Sequence, residues 1–435
     1  MPLSGFSRMA FDVDHDMSFW YRRGLALLAL GVGLGIRSLP AQVLTLEEAR
    51  IRAIKTSPEL NAAREGIVAS AGRERQAGAF PNPILTYSRE QTSRAGRTSW
   101  QNIGLVEQRL DFGGQRGARR VAAAHRREAA TARARSLESD LLFEVTRAYA
   151  LAVAADRRAE RAGQAAAAFD RARRISRERL AHGDVSGYAD RRIGLEAARY
   201  STLRAEALLA RRSARLVLGA LLTGSADSLA VLEQPLEDSL ALPQLNLSVD
   251  SLRALALVSR PELLSADAEV AAAGADARAF RREAFPTPTA GIGFKNEKGA
   301  GDPSAASGFV LQLSLPVPLW DGKRAGSQAF EAEARQRTAE AGGLRRRVVQ
   351  EVEQAWAGVR ATEEQLEPLR PQLGREARAA LTAAEAAYAE GEISLVEWLD
   401  AVRAYQEAEA SFASLEADYV IQRAALERAV GTRLN

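Results

Sequence analysis

Cysteine is absent from all 435 residues. That excludes disulfides, thiolate metal sites and lipidation of an N-terminal Cys. Methionine is nearly absent as well: Met1, Met9 and Met17 all precede position 42. Histidine occurs three times, as His15, His125 and His182. A chain with so few soft ligands is poorly equipped to hold a metal, so no cofactor is expected, and His125 and His182 read as ordinary surface residues. No Gly-x-x-x-x-Gly-Lys-Ser/Thr loop and no His-Glu-x-x-His occur. With no constellation of acid, base and nucleophile either, an enzyme is the least favoured class. Aromatic residues are 6% against 26% charged, a balance that together with helical periodicity points to long helices or coiled coils. The net charge of +4 is small beside 59 basic and 55 acidic residues. The slight excess is spread along the chain rather than gathered into a patch, so nucleic acid is not an expected partner.

Long apolar runs are missing too. The run from Leu25 to Ile36 has 12 residues, too short to cross a bilayer as a helix. Preceded by Arg22-Arg23 and followed by the small Ala41, it reads as a signal peptide over residues 1–41, cut before Gln42; an uncleaved anchor is the competing account. Met17 is a candidate true start, because Asp12, Asp14 and Asp16 are foreign to the basic region of a signal. A secreted chain without membrane helices is either soluble outside the cytoplasm or crosses a membrane as β-strands.

What the chain does contain is itself twice. Ser57-Pro58-Glu59-Leu60 matches Arg260-Pro261-Glu262-Leu263, and Phe80-Pro81-Asn82-Pro83 matches Phe285-Pro286-Thr287-Pro288. Gly114-Gln115-Arg116 matches Gly322-Lys323-Arg324, and Gly183 with Ser186 matches Gly391 with Ser394. The order is kept and the offset drifts by only a few residues, so the chain is a duplicated unit. The expected organisation is a first repeat over 42–228, a connector over 229–246 and a second repeat over 247–435.

Within each repeat the periodicity changes twice. Leu46, Ala49, Ala53 and Ile54 recur at helical spacing, Ser57-Pro58 restarts the helix as N-cap and first turn, and Pro81 and Pro83 end it. Pro286 and Pro288 occupy the same place in the second repeat, so these four prolines mark a helix-to-strand switch. The period then becomes two: Ile84–Ser88 and Trp100–Leu110 read as strands around a polar loop, Arg89–Ser99. Thr289–Phe294 and Phe309–Val317 repeat the pair. Phe309, Leu311, Leu313 and Leu315 alternate with small or polar residues, the signal of a membrane β-hairpin, although a soluble hairpin explains a single copy equally well. From Gln115 to Ala181 there is no proline and only two glycines, Gly117 and Gly163; such a helix is about 100 Å long and must pack along its side in a coiled coil or helical barrel. Gly183-Asp184-Val185-Ser186 and Gly391-Glu392-Ile393-Ser394 are then tight turns between long helices. Pro368 and Pro371 should kink the second long helix.

Helix, proline switch, hairpin, Gly-Gly-Gln-Arg or Asp-Gly-Lys-Arg exit, long helix, glycine turn and return helix, twice over residues 44–435, resembles the TolC-like outer-membrane efflux family. It is most similar to its heavy-metal-efflux (CzcC-like) branch. The missing lipidated Cys departs from many relatives and puts a lipid anchor, not the channel, in doubt. The resemblance implies a mainly α fold with membrane β. Each protomer would contribute duplicated long helices to a coiled-coil α-barrel crossing the periplasm, and four strands to a trimeric outer-membrane barrel of about twelve. It implies an exit duct in a tripartite efflux system, with partners that are two further copies of the chain, a periplasmic adaptor, an inner-membrane pump of the RND type and outer-membrane lipid. A type I protein-secretion duct shares this architecture. A periplasmic coiled-coil adaptor is a further alternative of another class.

By the same resemblance, acids after the second turn narrow the pore. Here they are Glu397 and Asp400, with Tyr388 before the turn. Glu397 equally completes a capping box with Ser394, and Asp400 could be plain solvated surface. The repeat offset places Arg192 opposite Asp400, so the two could pair across neighbouring hairpins and hold the pore shut. The turns themselves, Gly183 to Ser186 and Gly391 to Ser394, are candidate docking sites for the adaptor or simply structural αα-turns. Trp100 and Trp320 stand at strand ends, where membrane-interface aromatics are expected; core packing is the alternative.

Overall fold

The computed structural model describes residues 43–223, 235–237, 247–299, 304–320, 322–369 and 376–434. The leader, most of the connector and Pro371 lie outside the described residues. The first half runs α1 (Leu46–Thr56), α2 (Pro58–Ala77), β1 (Ile84–Arg94), β2 (Arg97–Arg109), α3 (Gln115–His182) and α4 (Gly187–Thr223). The second runs α5 (Val249–Ser259), α6 (Pro261–Arg282), β3 (Thr289–Lys298), β4 (Ala305–Ser314), α7 (Arg324–Leu366), α8 (Glu376–Glu390) and α9 (Leu395–Val430).

Local chemistry sets most boundaries. Thr45 and Glu48 form a capping box ahead of α1. The Ser57 hydroxyl accepts from Leu60 N–H at 3.2 Å, with Pro58 in the first turn of α2. The long helix α3 has 68 residues, about 100 Å at 1.5 Å per residue. Alanine lets its neighbours approach: Ala148, Ala150 and Ala152 are buried beside Val145 and Tyr149, against Ala417 and Val420 of the other half. The Tyr149 hydroxyl donates to the Leu44 carbonyl at 2.8 Å, tying the start of the described chain to the middle of the rod. A second core joins Leu252 and Leu263 to Val348, Val352, Tyr419 and Leu426. The halves therefore share cores instead of forming separate domains.

Two expectations are corrected. The polar stretch Arg89–Ser99 is not a loop. Strands β1 and β2 continue through it to a two-residue turn at Ala95-Gly96, both with positive φ (49° and 75°), the geometry of a tight hairpin turn. Polar side chains satisfy one another across the ladder: Ser93 with Thr98 at 3.0 Å, and Gln101 Nε2 donating to Glu90 at 2.6 Å. Strand β4 conversely starts at Ala305, before Phe309, and stops at Ser314, because Pro316 and Pro318 follow and cannot donate to a ladder. The second correction is that Pro368 does not kink a continuous helix. α7 ends at Leu366, a turn covers 367–369, and α8 begins at Glu376; proline lacks the N–H that would carry the helix through.

Candidate functional site

The four strands form one antiparallel sheet in the order β1-β2-β3-β4, so strands of both repeats meet at β2–β3. Within the chain each outer strand, β1 and β4, has only one neighbour, which leaves two open edges. In lipid an open edge strands backbone polar groups at several kcal/mol each.

Register sorts the side chains into two faces, because neighbours directly across a ladder point the same way. Leu85, Val106, Ile292 and Leu311 are in register, as are Tyr87, Gly104, Phe294 and Phe309. This face is apolar and bare: Phe309 is 87% and Leu311 82% exposed. On the opposite face the Glu107 carboxylate accepts from Thr86 at 3.0 Å and from Gln312 at 3.2 Å, and Lys295 pairs with Glu297 at 2.8 Å. An apolar face turned to lipid and a polar face turned to a lumen is what a membrane barrel requires of each chain.

The four switch prolines lie where the period changes. Pro81 and Pro83 fill the gap between α2 and β1, and Pro286 and Pro288 that between α6 and β3. Their carbonyls are used where their nitrogens cannot be: Pro81 accepts from Gln108 Nε2 at 3.0 Å and Pro288 from Leu110 N–H at 2.9 Å. Nearby, Trp320 is 94% exposed, ruling out core packing for it within one chain. Trp100 stands on the outward face near the other end of the sheet, in register with Lys298.

The far end of α3 carries the helical tips. Gly183 (φ 83°) and Gly391 (φ 85°) take left-handed conformations that close each helix. Asp184 N–H reaches back to Arg179 O at 2.9 Å and Glu392 N–H to Ala387 O at 2.8 Å, the six-to-one bond of a Schellman end. Ser186 accepts from Ala189 N–H at 3.2 Å, capping α4. Asp184 and Glu392 are exposed; Val185 and Ile393 are half-buried, and Ile393 packs on the tip core.

That core is aromatic and spans both hairpins. Phe169 of α3 stacks on Tyr200 of α4 at 4.2 Å and meets Trp398 of α9 at 5.0 Å, and Trp398 stacks on Tyr388 of α8 at 5.2 Å. Tyr388 is thus buried within the tip, and burial pushes its hydroxyl pKa up while nearby Arg179 opposes the shift. Arg179 also donates to the Ala389 carbonyl at 2.8 Å. Glu397 is engaged as a cap: its carboxylate accepts from Ser394 N–H at 2.8 Å. Those bonds to Ser394 hold its pKa below the ordinary carboxylate value. A depressed carboxylate stabilises above its unfolded pKa, so the cap is intact at neutral pH and is lost as acidification passes through the folded pKa.

Arg192 is half-buried and Asp400 exposed, and they form no ion pair with each other among the described residues. One turn further from the tip, the hairpins are joined instead by Arg403 and Glu196, the latter with a side chain only 12% exposed. Sequence reasoning missed Phe169, Arg179, Tyr200, Trp398 and this pair. The repeat carried one usable signal, since Glu196 and Arg403 stand at the same offset as other matched positions, with opposite charges.

A model of the family described as Outer membrane efflux protein matches residues 252–432. That match lies within the second repeat. The cobalt-zinc-cadmium resistance protein CzcC of Cupriavidus metallidurans is 28% identical over 280 residues, 64% of each chain; the match thus spans under two thirds of that relative. Three solved structures share the fold. A membrane protein from Pseudomonas aeruginosa has a TM-score of 0.71 at 22% identity, covering 89% of this chain and 90% of that one. The Campylobacter jejuni CmeC outer membrane channel has 0.72 at 15%, covering 89% and 85%. The open state of the Neisseria gonorrhoeae MtrE outer membrane channel has 0.66 at 18%, covering 90% and 89%. A soluble adaptor does not fit a sheet with one bare, apolar face.

Proposed function

We propose that three copies of the chain join β1 to β4 of the next copy, closing a barrel of about twelve strands, and that the assembly is the passive exit duct of a tripartite efflux system. The observation that carries this reading is the two-faced sheet with two open edges. Closure satisfies the edges, buries the apolar face in lipid and leaves Glu90, Glu107, Glu297 and Gln312 around a wet lumen. Energy would come from an inner-membrane pump of the RND type through a periplasmic adaptor docking at the tips Gly183–Ser186 and Gly391–Ser394. Likeness to a cobalt-zinc-cadmium resistance protein favours divalent metal ions as cargo. The expected result of deleting the gene is greater sensitivity to cobalt, zinc or cadmium salts, restored by the wild-type gene. Purified protein should form heat-modifiable trimers that conduct ions in planar bilayers; a protein that stays monomeric and non-conducting would refute the duct.

For the gate, the reading is that acids at the tip set the charge of the narrowest opening and that Arg192 meets Asp400 of a neighbouring hairpin. Exposed pairs contribute only about 0–1 kcal/mol each, so the effect is on conductance rather than folding. Asp400→Asn and Arg192→Gln should each raise the open probability in bilayers, and Asp400→Asn should also lower cation preference. Glu397→Gln can keep the capping box, since glutamine serves at that position, and so separates a charge role from the cap. Wild-type conductance and selectivity in all three variants would remove these residues from the gate.

A further inference from the structure

The outward face of the sheet is uneven in a way that the exit duct does not need. Towards the turn end of the strands, above the rows containing Phe309 and Leu311, apolar residues give way to two polar rows. Arg89, Asn102, Asn296 and Ser307 are in register, and next come Gln91, Trp100, Lys298 and Ala305. Across both rows and the whole outward face, the described strand residues include no aspartate or glutamate. Every acid of the sheet, Glu90, Glu107 and Glu297, takes the alternate, inward register. Lys295 is inward too, and is already paired with Glu297 at 2.8 Å. Arg89 and Lys298 are exposed, and no acid among the described strand residues shares their face.

The two cations are organised around an aromatic ring. The Arg89 guanidinium lies over the Trp100 indole at 5.7 Å, a cation–π geometry, and Lys298 is directly across the ladder from Trp100. Beside them, the side-chain oxygen of Asn296 is buried without a hydrogen-bond partner, while the matching oxygen of Asn102 accepts from the Tyr87 hydroxyl at 3.0 Å. The cluster therefore offers two positive groups, a flat amphipathic ring at interface depth and one uncommitted acceptor. These features complement a ligand with phosphate for the cations, a hydroxyl to donate to Asn296, and acyl chains that continue down over Tyr87, Phe294 and Phe309.

We propose that Arg89, Trp100, Asn296 and Lys298 form a binding site for the headgroup of a phosphorylated glycolipid in the outer leaflet. The proposal rests on the outer-membrane reading of the sheet. The site holds a phosphate between Arg89 and Lys298 while a sugar hydroxyl reaches Asn296. It lies on the lipid side of the wall and takes no part in conduction.

Detergent-extracted protein titrated with diphosphoryl lipid A, with the dephosphorylated glycolipid and with inorganic phosphate, and followed by native mass spectrometry, tests this. Wild type should retain the diphosphoryl lipid in preference to its dephosphorylated form. Arg89→Gln combined with Lys298→Gln should weaken retention about tenfold or more, since each basic group at an anionic surface is worth roughly a factor of five. Arg89→Lys with Lys298→Arg should restore it, and Lys295→Gln, on the lumen side, should change nothing. Heat-modifiability and bilayer insertion are recorded for every variant. Equal retention of the two lipids, or undiminished retention by the double glutamine variant, would overturn the site. Displacement of the lipid by millimolar inorganic phosphate would overturn the lipid as the ligand. Failure of wild type itself to enter bilayers would instead overturn the outer-membrane reading beneath the proposal.

Discussion

Leu311→Arg abolishes assembly in the membrane. Leu311 is 82% exposed on the outward face, in register with Ile292 and between the flanking rows of Phe309 and Leu313. Arginine at the middle of a bilayer costs about 2–4 kcal/mol on a barrel surface. If three copies close one barrel, that penalty falls three times, roughly 6–12 kcal/mol, comparable to the whole stability of an ordinary domain. Membrane fractions should contain no heat-modifiable oligomer, and metal sensitivity should match that of the deletion strain. Gln312→Arg, one residue on, lies on the opposite, polar face beside Glu107 and should assemble. If Leu311→Arg inserted at wild-type yield while Gln312→Arg failed, the face assignment would be inverted.

Phe169→Ala loosens the tips. Phe169 is fully buried and is the ring through which the first hairpin meets the second, stacking on Tyr200 and touching Trp398. Removing a buried phenyl costs about 3–5 kcal/mol. The lost contact joins two hairpins, so the cost falls on their mutual closure as well as on local packing. The sheet is about 80 Å away along α3, and assembly in the membrane should survive. The expected phenotype is a leaky duct: higher conductance in bilayers and sensitivity of whole cells to vancomycin. Arg179→Ala removes the bond to the Ala389 carbonyl and the contact with Tyr388 and should act in the same direction with a smaller effect. A Phe169→Ala protein with wild-type conductance and no leakage would show that the aromatic core does not hold the tips together.

Much of the fold was legible because its signals are local. Ser57-Pro58, Gly183, Gly391 and Ser394 act through their own backbone angles and through bonds to residues three to five positions away, so their roles can be read without knowing what packs nearby. The limits of local reading show in the hairpins. Arg89–Ser99 is polar and resembles a loop, yet becomes strand because each polar group meets a partner across the ladder, as Glu90 meets Gln101. The same limit hid the tip core: Phe169, Tyr200, Tyr388 and Trp398 come from four different helices, and no spacing in the chain announces that their rings will touch.

From the residues alone came the duplication, the long rods, the glycine tips, the proline switches and a β-hairpin in each repeat, since all of these follow from periodicity and from side chains acting on their own backbone. Tertiary structure alone decided that both hairpins join in one sheet, which face of it is bare and apolar, and that Glu196 and Arg403 rather than Arg192 and Asp400 bridge the hairpins within a chain. These depend on register and on contacts between residues some two hundred positions apart. Such contacts are settled only when the apolar, polar and charged groups of both halves are satisfied together.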